Sequence, residues 1–445
     1  MLQRAGKKID SKEAVLKIKD ASYPAPFASE LEYNSPVHGN WNIVHTGMQV
    51  PESIQIYVCA DNCMRGVVLT AAEMKAADRF SFVIVEEQHV LNGNLEDITI
   101  EGVTDVLNKR DDHPKAVLLF TVCLHHFVGS NLDYIYNELE HRFPDICFIR
   151  CYMDPIMQKH GLTPDQKLRK AMYDPLPECE VDEKTVSVFG SDFVLDESSD
   201  IKRLLKRYGY TVRELPACET WQDLQDMSKG RLFLDIYPAG KYGMETQARR
   251  LHRAHLYLPG SFDYEEIEQQ LKQLTDALGI PELSREKLDV ERSACEEVLA
   301  DAKALIADMP ITLDYLYHPR PLGLAKLLVT HGFNVKAVYL DGISSEEKSA
   351  FDWLQKYAPE LELIATIQIK MRVLPRGGEE EVLAIGQKAA YFSRSRHFIN
   401  LVQGEGLYGF DGIRRTAELM MEAYREEKDT EKLVVQKGWG CECCL

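Results

Sequence analysis

Runs that read as β-strands alternate with runs that read as helices three times over along this chain, and that alternation limits the fold more than any other feature. The first group opens at Ser53 with SIQIYVC, continues through CADNCMRG, and passes into VVLTAAEMKAA, whose spacing and composition are helical. FSFVIVEE comes next, with Asn92 and Gly93 marking a turn before an amphipathic stretch that ends at Arg110. KAVLLFTVC is a continuous apolar run of the kind buried on both faces in a parallel sheet, and HHFVGSNLDYIYNELEHRF reads as loop and helix. A second group begins near Lys184 with TVSVFGS and includes RLFLDIYP and AHLYLPG. A long helical stretch from Tyr264 to about Met309, broken at Gly279 to Pro281, leads to a third group starting at ITLDYLY. The expected class is α/β, with three domains of Rossmann-like βα units on parallel sheets. The expected divisions are 1–183, 184–309 with its helical connector, 310–425, and a Cys-rich tail at 426–445.

The chain is long enough for several cores, with 445 residues. Its 45% hydrophobic and 27% charged content excludes a disordered or collagen-like chain. Lys plus Arg is 52 and Asp plus Glu is 70, a net charge of −18 that repels nucleic acid and anionic lipid. No run has the length of a membrane span, and the first twenty residues carry mixed charge without a signal-peptide core. The expected location is cytoplasmic. No G-x4-G-K-[ST] or post-strand G-x-G-x2-G loop is present, so neither ATP nor NAD binding is expected of the chain itself.

Eleven cysteines in a reducing compartment are either core residues or ligands, and position separates the two. Cys63 and Cys123 both fall just past strand C-termini, the edge where open α/β sheets bind ligands, and Cys59 ends the strand before Cys63. Three thiolates around one cleft suit an iron–sulfur cluster or zinc. Cys59, Cys63 and Cys123 are therefore the candidate metal ligands. The competing reading is that they are buried apolar residues, because C-x3-C is not the C-x2-C of a zinc ribbon. His125 and His126 follow Cys123 directly, and neighbouring side chains diverge too far for both to face one cluster. Each is a candidate cofactor contact or proton donor, and equally a capping or core histidine. His318 and His331 read as structural.

The blocks SPVHGNWNIVH, IQIYVCADNCMRGVVL, VVEEQHVLNGNLEDITIEGVTDVL and KAVLLFTVCLHHFVGSNLDYI, in that order, resemble component 1 proteins of nitrogenase and nitrogenase-like oxidoreductases. The resemblance continues through VSVFGSDF, HPRPLGLAKLLVTHGF and SRHFINLVQGEGLYGFDGIRRTAELM, spanning nearly the whole chain. It implies an iron–sulfur cluster of the [4Fe–4S] type, with Cys63 at the family's first matching cysteine and Cys123 at its last. It further implies a homo- or hetero-oligomer with a component 1-like subunit, an ATP-dependent iron–sulfur reductase as electron donor, and a small-molecule substrate. His397 falls near the family's cofactor histidine ahead of the Gly-Phe-Asp-Gly turn at 409–412, offset by a couple of residues.

Departures from the family pattern are as informative. The stretch Asn34 to Gly39, where an earlier cluster cysteine is expected, holds none; Cys59, His38 or a partner's residue could take its place. RLFLDIYPAGKYG lacks the second-domain cysteine that holds a nitrogenase metallocofactor. Three functional readings stay open: an oxidoreductase subunit, a non-catalytic scaffold for cluster or metallocofactor assembly, and a subunit that has lost its cluster. The terminal Cys441, Cys443 and Cys444 read as a separate soft-metal or redox tail.

Overall fold

The computed structural model describes residues 11–28, 32, 33, 35, 37, 43–154, 161–378 and 380–435. A short strand β1 (Val15–Lys17) is followed by a four-stranded set: β2 (Ser53–Cys59), β3 (Phe80–Ile84), β4 (Ala116–Val122) and β5 (Cys147–Met153). These pair in the order β3-β2-β4-β5, all parallel. A second parallel sheet has β6 (Asp182–Phe189), β7 (Thr211–Glu214), β8 (Gly230–Asp235) and β9 (Ala254–Tyr257) in the order β7-β6-β8-β9. The third comprises β10 (Ile311–Asp314), β11 (Val335–Tyr339), β12 (Glu362–Ile364), β13 (Leu383–Ile385) and β14 (His397–Ile399). Its order is β1-β12-β11-β10-β13-β14, parallel except for β1, which pairs antiparallel with β12 at one edge. The class expected from the sequence, α/β on parallel sheets, is the one observed.

Every residue of β2 and β4 is buried, as in strands covered on both faces; β4 is apolar but for Thr121, while β2 also buries Ser53 and Gln55. Period-two alternation splits them between two cores. Tyr57, Cys59, Leu118, Phe120 and Val122 enter one, and Ile54, Ile56, Val58, Val117 and Leu119 enter the other. Tyr57 stacks on Phe120 with ring centroids 4.4 Å apart, and its hydroxyl donates to Gln55 Oε1 at 2.7 Å.

The chain divides into two compact units, and neither is continuous in sequence. One takes Met1–Asn40, Leu195–Tyr208 and Pro259–Leu445, and so contains the six-stranded sheet. The other takes Trp41–Val194 and Gly209–Leu258, and so contains both four-stranded sheets. The connector between β9 and β10 forms two helices, Tyr264–Leu278 and Arg285–Ile306, and the first ends at Gly279 in the left-handed conformation. Gly190, at φ +96°, follows β6 where a Cβ would come within 2.1 Å of Asp235 Oδ1, so only glycine fits. Among the described residues no helix is long and apolar enough to cross a membrane.

Candidate metal centre at a sheet edge

The ladder between β2 and β4 pairs Tyr57 with Phe120, and that between β4 and β5 pairs Val122 with Met153. The residues that follow β2, β4 and β5 therefore emerge side by side on the C-terminal edge of one sheet. Cys63 lies here in the first turn of the helix Asp61–Glu73, exposed to solvent. That helix starts earlier than the sequence spacing suggested, so Cys63 sits on a rigid element and not on a loop. Cys123 is the first residue of a short helix, Cys123–Phe127, and is half-buried. Burial pushes its thiol up, and the nearby charges of Cys63 and Asp154 push it further. Such a thiol holds its proton until a metal displaces it.

Cys59 differs. It is fully buried in the apolar core, where burial and then Cys63 push its thiol to about 12. Those surroundings are those of an inert structural cysteine. Cys151, also in this core, is held well above its ordinary value by burial.

The two histidines after Cys123 separate cleanly. His125 is buried, accepts from the Val122 N–H at Nδ1 (3.3 Å), and meets Thr99 Oγ1 at Nε2 (3.3 Å). Thr99 itself donates to Leu95 O at 2.7 Å, so Nε2 carries the proton in this network. Burial lowers its pKa to about 4. Nδ1 caps the helix, and Nε2 is engaged by Thr99 of the helix Leu95–Asn108. His126 is exposed, with Nδ1 4.0 Å from Asp154 Oδ2.

His397 is not brought to the ligand-binding edge of its own sheet. It is the first residue of β14, paired with Leu383 at the start of β13, and so lies at the N-terminal end of the strands. Its Nδ1 is 3.0 Å from Ala423 O, and its Nε2 is 3.6 Å from Glu381. β8 ends at Asp235, no cysteine follows it in IYPAGKYG, and burial lifts that carboxyl to about 8. Cys218 and Cys295 donate to the carbonyls of Glu214 (3.7 Å) and Phe410 (3.2 Å), as core thiols do. His38, Cys441, Cys443 and Cys444 lie outside the described residues.

Asp154 is the residue that sequence reasoning missed. It directly follows β5, and only the pairing of β5 with β4, which the sequence does not show, sets it beside Cys123.

Among the described residues no group of three or more His, Cys, Asp or Glu converges tightly enough for a single metal ion. That spacing argues against mononuclear zinc. A cluster supplies its own bridging sulfide and holds its protein ligands farther apart, so paired soft thiols beside a buried carboxylate suit one.

A model of nitrogenase component 1 type oxidoreductases matches residues 79–425. The chain belongs to that family. Members of this family carry iron–sulfur clusters and work as oxidoreductases. The matched part includes Cys123 but begins after Cys59 and Cys63. Among solved structures, nitrogenase Cp1 at pH 6.5 superposes with a TM-score of 0.65 at 13% identity, covering 89% of this chain and 94% of that one. Nitrogenase Cp1 at pH 5 gives 0.60 at 11% identity, covering 93% and 94%. At such identities the likeness is one of fold. No curated relative matches significantly.

Proposed function

We propose that this chain is a component 1-type subunit that receives low-potential electrons from an ATP-dependent iron–sulfur reductase and reduces a small-molecule substrate. The observation that carries the reading is that Cys63, in the first turn of the helix after β2, and Cys123, directly after the neighbouring β4, emerge on one sheet edge. A bound iron–sulfur cluster supplies single-electron storage at low potential. The chain's own part is to present thiolates from helix starts on a buried sheet and to keep that edge apolar behind Cys59. Two firm thiols fall short of the roughly four protein ligands of common clusters, which favours a homo- or hetero-oligomer with a second component 1-like chain. The net charge of −18 would steer a basic face of the reductase toward it.

Anaerobic purification with iron and sulfide quantification and EPR tests this. Cys63→Ala and Cys123→Ala should each lose most of the iron, whereas Cys218→Ala and Cys295→Ala should keep it. Equal iron in all four folded variants would overturn the reading. Truncation after Lys437 should leave the central EPR signal in place, as expected of a separate tail.

A further inference from the structure

We propose that a cavity of about 550 Å³ on one face of the six-stranded sheet is a binding site for an uncharged, mainly apolar small molecule that carries one hydrogen-bond-accepting oxygen. The site goes beyond the function given above and does not depend on it, because every residue lining it belongs to the unit without Cys63 and Cys123.

Short side chains make the room. The ladders set Ala384 of β13 opposite Thr312 of β10, and Thr312 opposite Ala337 of β11. Residues paired in register point to the same face, so three short side chains share one strip of it, and Thr312 and Ala337 floor the cavity. Val15 of β1, Ile364 of β12, Met371, Leu374, Val382 and Phe392 form its walls. Protein interiors hold few voids larger than a water molecule, whereas small-molecule sites run from about 300 to 1,000 Å³. The space is of the second kind.

The floor carries a hydroxyl without a partner. Thr312 is 4% exposed, and its Oγ1 is buried with no hydrogen-bond partner. Thr185, a buried threonine of β6, shows the ordinary arrangement and donates to Asp182 at 2.7 Å. A buried polar atom left unpaired calls for a cause, and an accepting oxygen on a bound molecule supplies one. Charges at the mouth already have neighbours in the protein. Lys336 is 2.8 Å from Glu380, Glu362 pairs with Lys17 across the β1–β12 ladder, and Arg376 is 3.8 Å from Glu431 and lies over the Tyr391 ring at 4.2 Å. No charge is left over to select an ion, and the apolar walls make it costly to desolvate one. The occupant is therefore neutral.

The test titrates the full chain with prodan, a neutral naphthalene ketone whose emission moves to the blue in apolar surroundings, and with naphthoate as a charged counterpart. Wild type should bind a single equivalent of prodan with blue-shifted emission, and naphthoate more weakly. Ala337→Leu, which fills the floor, should weaken prodan binding by about tenfold or more. Thr312→Val should weaken it by about fivefold, the worth of one hydrogen bond. Both variants should melt at or above the wild-type temperature, since one fills space and the other removes an unpaired hydroxyl. Should Ala337→Leu fail to fold, Val382→Phe fills the same cavity from its wall. A wild type that does not bind prodan, or equal binding by wild type and a folded cavity-filling variant, would overturn the site. Naphthoate bound more tightly than prodan would overturn the neutral class, and full affinity in Thr312→Val would overturn the part given to the hydroxyl.

Discussion

Asp154 and Asp192 each lie within three residues of the end of a parallel strand in the same compact unit, and both side chains are buried, yet their surroundings are opposite. Asp192 takes two hydrogen bonds from Arg169 Nη2, at 2.9 and 2.8 Å, and another from Gln49 Nε2. Arg169 is itself fully buried, donates from Nε to Asp165 at 2.9 Å, and lies over the Tyr237 ring at 5.5 Å. Asp154 has one oxygen without any partner and the other 4.0 Å from an exposed histidine. A carboxylate wrapped by donors is part of the fold's own framework. One left without donors adds nothing to that framework.

The largest expected effect breaks the framework side of this contrast. Arg169→Ala would strand Asp165 and Asp192 without their cation, and removing one member of a buried ionic network costs about 3–5 kcal/mol. Urea unfolding checks it. A loss under about 1 kcal/mol would mean that water reaches the triad and that burial at strand ends does not distinguish the two aspartates.

Asp235 lies between the extremes. Its Oδ1 accepts from the Tyr237 N–H at 3.2 Å, its Oδ2 has no partner, and burial raises its carboxyl from 3.8 to about 8. The protonated acid is the stable form of a group packed against Gly190 and Gly240. An acid whose folded pKa exceeds its unfolded one holds its proton more tightly when folded. The stability it contributes is complete below about pH 4 and is lost as pH rises toward 8. Between pH 6 and 8 that amounts to about 2 kcal/mol, at 1.36 kcal/mol per unit. Asp235→Asn should flatten this slope. Glu347, raised to about 8 by burial, gives the same sign in both proteins and drops out of their difference. Parallel pH–stability curves for wild type and Asp235→Asn would show that Asp235 is hydrated.

What could be seen in the sequence follows from the range of the physics involved. The run in β4, apolar but for Thr121, announces a doubly covered strand, whereas β2 does so less plainly because the buried Gln55 interrupts it. Cys63 and Cys123 were visible because a strand end is a local signal. The Arg169 network was not, since TPDQKLRKAM reads as an ordinary charged helix and its partner Asp192 is 23 residues away across β6. Asp154 was hidden for a related reason: only the pairing of β4 with β5 sets it beside Cys123. The interleaving of the two units is likewise long-range. The helix Asp200–Arg207 follows β6 in sequence yet belongs to the unit of the six-stranded sheet, where Asp200 accepts from the Asp411 N–H at 3.3 Å.

The smallest effects distinguish the two adjacent histidines and sharpen the contrast at one residue's spacing. His125 is a helix cap held by the Val122 N–H and Thr99, so His125→Ala should cost about 1 kcal/mol of stability, the usual value of a lost cap. Because burial lowers its pKa from 6.5 to about 4, its contribution is complete above pH 6.5 and is lost as pH falls through that interval, where the unfolded chain takes up a proton first. The difference between wild type and His125→Ala should therefore shrink from pH 8 to pH 5. His126 is exposed and makes one loose contact with Asp154, so His126→Ala should change stability by less than about 0.5 kcal/mol. Iron content separates the pair in the same experiment: the cap variant should keep its iron, because neither ring nitrogen of His125 is free to reach the edge. An iron-depleted His125→Ala with unchanged stability would turn that capping residue into a ligand.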